Sequence, residues 1–209
     1  MPSEKQIKDD VRKWSRLNLE VPNQHLNGMP ACPFAKKTWA EKKVLIKIKQ
    51  KNKWYKTELN SHLQKLNLNK HEILIFCDPY FSYTIDDFQG IIDSYNFWYN
   101  RKDIYFMGFH PRGTPTLEEH AFLVDPGPDE SYDGELEYSM MLIQKFSQLQ
   151  EASDKLHKAG YYDGWPKEYY NEVVKSRYKT YNKVGDLYEE KICYGSWWNE
   201  NQNAWRYEN

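Results

Sequence analysis

The sequence predicts an α/β fold: a small, mostly parallel sheet with crossover helices, followed by two long C-terminal helices and an aromatic tail. Three observations carry this expectation. Between residues 44 and 109 the patterning alternates strand, helix, strand, helix, strand, the rhythm of right-handed crossovers. Its middle strand is the unbroken apolar run Ile73-Leu74-Ile75-Phe76, as a strand buried on both faces should be. Beyond the acidic, proline-rich stretch Asp125-Pro126-Gly127-Pro128-Asp129-Glu130, apolar residues recur every three or four positions.

Taken in order, residues 4–17 set Ile7, Val11, Trp14 and Leu17 at helical spacing, and residues 18–31, with Pro22, Gly28 and Pro30, read as a loop. Pro33 suits the first position of a helix to about Lys42, which leaves Cys32 as its N-cap. Val44 to Lys49 alternates as a strand with one wet face, and its lysines assign it to an edge. Residues 54–66 read as a helix, 72–77 as a strand, 84–100 as a helix opened by the capping sequence Thr84-Ile85-Asp86-Asp87, and 104–109 as a strand. Glu119 to Val124 can add another strand. Leu136, Met140, Ile143, Phe146 and Leu149 predict a helix to about Lys158, and Tyr170, Val173, Arg177, Tyr181, Val184 and Tyr188 a second one. The two parts, an α/β core over 1–124 and a helical extension over 125–209, are expected to pack as one structural domain.

Sixteen per cent aromatic residues can build a core, while a mean hydropathy of -0.92 implies a polar surface and long solvated helices. The net charge of -1 excludes a whole-molecule attraction to nucleic acid or to a membrane surface. Charge is nevertheless uneven, since residues 36–56 hold nine lysines against the single acid Glu41. No apolar run approaches the roughly 20 residues of a membrane span, and the charged start lacks a leader's apolar region, so a cytoplasmic protein is expected. Three widely spaced cysteines, Cys32, Cys77 and Cys193, suit reduced thiols. The preference for lysine over arginine fits AT-rich coding DNA, as in many viruses and some bacteria.

Strand ends are where open parallel sheets bind ligands. Asp78 follows the second strand, and His110-Pro111-Arg112 follows the third, so Asp78, His110 and Arg112 should share one edge. Cys32 should join them from the start of its helix, where partial positive charge favours a thiolate. In that arrangement Cys32 is the nucleophile, His110 takes its proton, Asp78 orients the imidazole and Arg112 holds an anionic substrate group. The competing structural account makes Cys32 a small buried hydrophobe and has His110 hydrogen-bond a loop carbonyl. A metal version adds His25 and His120, making His25, Cys32, His110 and His120 a mixed nitrogen and sulfur set for Zn, Fe or Cu, although the spacing matches no standard zinc motif. There is no phosphate-binding glycine loop and no GxSxG elbow.

Trp39, Trp54 and Tyr55 lie among the lysines of 36–56, a pattern shared by single-strand nucleic-acid binders and by protected edge strands. Trp197, Trp198 and Trp205 in the tail suit either a docking platform or a clamp on the chain's own domain.

Cys32-Pro33-Phe34-Ala35, the Trp14 helix with Leu17-Asn18-Leu19, and Phe109-His110-Pro111 together resemble domain-of-unknown-function family 1415 over about residues 5–113. Members of that bacterial family read Leu-Asn-Leu-Cys-Pro-Phe-Ala and then Phe-His-Pro. This chain differs by an insertion between Leu19 and Cys32 that carries His25, and by its continuation after Arg112. The resemblance implies that Cys32 and His110 form a pair, and it names no reaction.

The leading expectation is therefore a cytoplasmic enzyme with a Cys/His site at the carboxyl edge of the sheet. Its chemistry would be thiolate-based or transition-metal redox chemistry on a small anionic substrate. The alternative is a non-catalytic protein that binds nucleic acid or an acidic protein through residues 36–56.

Overall fold

A computed structural model describes residues 2–23, 26–111 and 137–191. Helix α1 (Glu4–Trp14) opens at Ser3, whose hydroxyl accepts from the Gln6 N–H, and it buries Ile7, Val11 and Trp14. It runs on without a break into a π-helical stretch, Ser15–Leu19. The chain continues through α2 (Ala35–Ala40), β1 (Val44–Ile48), α3 (Tyr55–Gln64), β2 (Ile73–Asp78), α4 (Ile85–Tyr99) and β3 (Ile104–Phe109). At the head of α4 the expected capping box is complete, with Thr84 and Asp87 each accepting from the other's backbone N–H. After β4 (Ser139–Lys145) come α5 (Phe146–Lys158), α6 (Lys167–Tyr169), a second π-helical stretch (Tyr170–Lys175) and α7 (Ser176–Lys191). No helix among the described residues is long and apolar enough to cross a membrane.

The protein is mixed α/β, with a four-stranded mixed sheet in the order β1-β2-β4-β3. This corrects the mostly parallel sheet. Only β1 with β2 is a parallel pairing; β4 is antiparallel to both of its neighbours. Strands β1, β2 and β3 still point the same way. The physical reason lies in Met140-Met141-Leu142-Ile143, a run buried on both faces. Four consecutive apolar residues satisfy helical spacing and a central strand equally well, and periodicity alone cannot separate the two. The first C-terminal helix therefore starts at Phe146, and the second is divided by its π-helical stretch. The strand expected over 119–124 lies outside the described residues.

Alternation sends Leu74, Phe76, Phe106, Met141 and Ile143 to the face covered by α3 and α4. Ile75, Cys77, Met140 and Leu142 go to the face covered by α1. A third cluster joins Leu26 from the 18–31 segment to Tyr161, Tyr162 and Val174, and the Tyr161 hydroxyl donates to the Ala31 carbonyl at 2.8 Å. Because β4 sits between β2 and β3, the two halves of the chain share one sheet.

Candidate functional site at the carboxyl edge of the sheet

Register and alternation together assemble the site. The Lys49 N–H donates to the Cys77 carbonyl at 2.8 Å, which extends β1 by one residue and sets Lys49 beside Asp78. Asp78 is registered with Ser139, and Phe109 with Met140, so His110 comes next to Ser139. By period two, Lys49 shares a face with Leu45, Asp78 with Phe76, Ser139 with Met141, and His110 with Phe106. Each strand thus delivers one polar residue to the same edge and face, in the order Lys49, Asp78, Ser139, His110. Asp78 is 2% exposed, Ser139 1% and Lys49 9%.

Tyr83 ties the row together. Its hydroxyl is 2.5 Å from Ser139 Oγ and donates to Asp78 Oδ2 at 3.3 Å, while Asp78 Oδ1 accepts the Tyr80 N–H at 2.8 Å. Lys49 Nζ is 3.9 Å from Asp78 Oδ1, too far for a direct hydrogen bond, and lies 5.5 Å from the centroid of the Tyr80 ring. Burial therefore outweighs the lysine, and the Asp78 carboxyl is held above the usual carboxylate range in spite of the Tyr80 N–H, Lys49 and the Tyr83 hydroxyl. Burial also pushes the Tyr55 and Tyr83 phenols well up. Glu58, buried close by, accepts the Gln50 N–H at 3.0 Å.

His110 is half-buried against Phe81, Phe88 and Tyr83, with ring centroids 5.0, 5.8 and 6.2 Å away. Its Nε2 is 3.2 Å from the Tyr83 carbonyl oxygen. A carbonyl only accepts, so Nε2 is the donor in this bond.

Cys32 is not brought to this row. Helix α2 begins at Ala35, with Phe34 as its N-cap, so Cys32 is not the capping residue. At six residues α2 rises only about 9 Å and cannot carry its start across the sheet. The Cys32 thiol instead lines a small apolar cavity with Trp14, Leu19, Trp39, Val44, Ile73 and Ile75, under α1 and at the amino ends of β1 and β2. That is the opposite face and the opposite edge from His110. Burial raises the thiol's pKa, outweighing the Phe34 and Ala35 N–H groups that lower it, so the activation expected from a helix start is reversed.

Arg112, His25 and His120, together with Cys193 and the tail tryptophans, lie outside the described residues. Among the described residues no three His, Cys, Asp or Glu side chains converge closely enough to hold a metal ion. The sequence reading missed two members of the row and the tyrosine that ties it together. Ser139 was hidden by the helical spacing around it, Lys49 by its reading as edge protection, and Tyr83 by having no pattern of its own beyond preceding Thr84.

Three of the nine lysines of 36–56 are engaged with acids. Lys37 pairs with Glu41, Lys43 with Glu41 and Glu72, and Lys49 is buried beside Asp78. Compared with family models, curated proteins and solved structures, the chain finds no match.

Proposed function

We propose that the protein is an enzyme that moves a proton on a small anionic substrate at the carboxyl edge of its sheet, with His110 as the proton-exchanging group. The observation that supports this is the row Lys49, Asp78, Ser139 and His110, one residue from each strand. A fold needs no such row. An ion pair taken out of water at 3.9 Å repays little of its desolvation, and apolar replacements of such pairs are often neutral or stabilising. A perturbed carboxyl and a histidine on one sheet edge at strand ends are, by contrast, what acid–base sites use. Here His110 accepts or returns the proton, Asp78 and Tyr83 set the field of the row, and Lys49 supplies the positive charge. The reading keeps the Asp78 and His110 half of the expected site and assigns proton transfer in place of thiolate chemistry, because a thiol kept neutral by burial is a poor nucleophile. The likeness of Phe109-His110-Pro111 to family 1415 is part of the proposal and supplies no reaction.

The test pairs stability with activity. Lys49→Met combined with Asp78→Asn should leave the melting temperature within a few degrees of the parent or raise it, while activity found in a panel of small acids and esters should fall at least a hundredfold. His110→Gln, which can still donate to the Tyr83 carbonyl, should lose the same activity. Loss of more than about 3 kcal/mol of stability in the double variant would make the row a structural element instead.

A further inference from the structure

A second site lies on the other face of the sheet, and it does not depend on the carboxyl-edge row. A cleft of about 480 Å³ opens between α2 and the end of α1 with its π-helical extension. Its walls are Arg12, Arg16, Glu20, Lys36, Trp39 and Ala40. This volume suits a small metabolite, and the lining sets charged groups beside the apolar surface of Trp39 and Ala40.

The cleft's charges are organised. Glu20 is taken up by Arg12, which meets both carboxylate oxygens, one of them at 3.2 Å, and its Oε1 also accepts the Ser15 hydroxyl at 3.0 Å. The Ser15 hydroxyl in turn accepts the Trp39 indole N–H at 2.7 Å, and the Arg12 guanidinium lies 4.8 Å from the centroid of the Trp39 ring. Three side chains, Glu20, Ser15 and Trp39, therefore fix the Arg12 guanidinium in the wall of the cleft. Arg16 and Lys36 remain, both exposed and neither in an ion pair among the described residues. With Glu20 cancelled by Arg12, the lining carries a surplus of two positive charges. The backbone gives an independent sign. The helix widens to π geometry over Ser15–Leu19, the turn that presents Ser15 and Arg16, and such single-turn π insertions recur at functional sites.

We propose that this cleft binds the phosphoryl group of a small phosphomonoester. Two surplus cations, Arg16 and Lys36, match a dianion, and the N–H groups that the pre-oriented Arg12 guanidinium does not spend on Glu20 can meet a further terminal oxygen. A planar carboxylate offers half the charge and two oxygens. A nucleic-acid backbone would need the positive surface to continue beyond the cleft. The lysines that follow the cleft in and beside β1 do not extend it, because Lys43 is engaged with Glu41 and Glu72, and Lys47 and Lys49 lie on the face of the sheet covered by α3; the oligonucleotide arm of the test below decides the rest.

The experiment is calorimetric titration of the full chain with inorganic phosphate, phenyl phosphate, benzoate and a 12-nucleotide single-stranded DNA. Phenyl phosphate should bind with a Kd below 1 mM and at least tenfold more tightly than benzoate. Arg16→Gln and Lys36→Gln, both at exposed positions, should each weaken it at least fivefold with the melting temperature unchanged, whereas Lys51→Gln should change nothing. The proposal is overturned if no phosphate compound binds below 10 mM, or if the two cleft variants bind as the parent does. It is also overturned if the oligonucleotide binds more tightly than phenyl phosphate and loses affinity equally with Lys51→Gln, since the site would then be a strand-binding surface. Phosphate binding that survives His110→Gln, with activity lost, would separate this site from the one at the carboxyl edge.

Discussion

At the scale of single residues, burial decides most of the chemistry. Cys32 and Cys77 are both thiols at neutral pH, Cys77 because the sheet and α1 enclose it and push its pKa up to about 12. In a Cys193→Ser background, alkylation at pH 7 should therefore run at least tenfold slower at Cys32 than for a free thiol, and slowest at Cys77. Cys32 labelling as fast as glutathione would show an activated thiolate after all. Asp78 gives a signed pH dependence. Burial raises its pKa above that of an ordinary aspartate, so the folded protein holds this proton more tightly than the unfolded chain does. The resulting stability is fully present below the unfolded value and is lost as pH rises through the folded one. Asp78→Asn, which can still accept the Tyr80 N–H, should gain on the parent as pH increases from 4 to 7. Urea unfolding at each pH measures this, and a variant that loses ground would reverse the assigned shift. The candidate residues Asp78 and His110 were legible because each ends a strand beside a proline. Their partners Lys49, Ser139 and Tyr83 were not, because only register across four strands makes them neighbours.

At the scale of elements, long-range capping does what local sequence leaves undone. No side chain of its own first turn caps α5; Asp103, left-handed at φ 58°, accepts the Ser147 N–H and the Ser147 hydroxyl, each at 2.7 Å. Asp103→Ala removes the cap and puts a Cβ-bearing residue without side-chain compensation in the left-handed region, so it should cost about 2–3 kcal/mol in denaturant unfolding. Asp103→Asn should recover most of that. Edge strand β3 is protected in a similar way, since the Asn96 side chain on α4 accepts the Phe106 N–H at 2.8 Å and donates to its carbonyl at 2.9 Å. Asn96→Ala should cost about 1–3 kcal/mol and speed exchange of the Phe106 amide. An unchanged Phe106 exchange rate would mean that water replaces the side chain fully. Helix α4 also approaches β3 at Gly108, where a Cβ would lie 2.8 Å from a Phe88 ring carbon. Neither Asp103 nor Asn96 stands out in the sequence, because each acts on a partner 44 or 10 residues away.

At the scale of the whole molecule, the sheet order makes β2 and β4 central and leaves β1 and β3 at the edges. Amide exchange should be slowest in Leu74 to Cys77 and Met140 to Ile143, with β1 faster; β4 amides exchanging as quickly as those of β1 would contradict a central β4. The two proposed sites also separate at this scale, one on each face of the sheet, so variants in one should leave the other's readout unchanged. By itself the sequence determined what short-range physics controls. The Ile7, Val11 and Trp14 face of α1, the capping start of α4 and the buried run of β2 follow from periodicity, caps and apolar continuity. Tertiary structure alone decided that Met140 to Ile143 is a strand, because a solid apolar run takes whichever form its neighbours can bury, and a gap between β2 and β3 offers backbone partners on both sides. It also decided that Cys32 and His110 lie apart. Their separation depends on which face α1 covers and on α2 being too short to cross the sheet, and neither is encoded in the motifs that contain them.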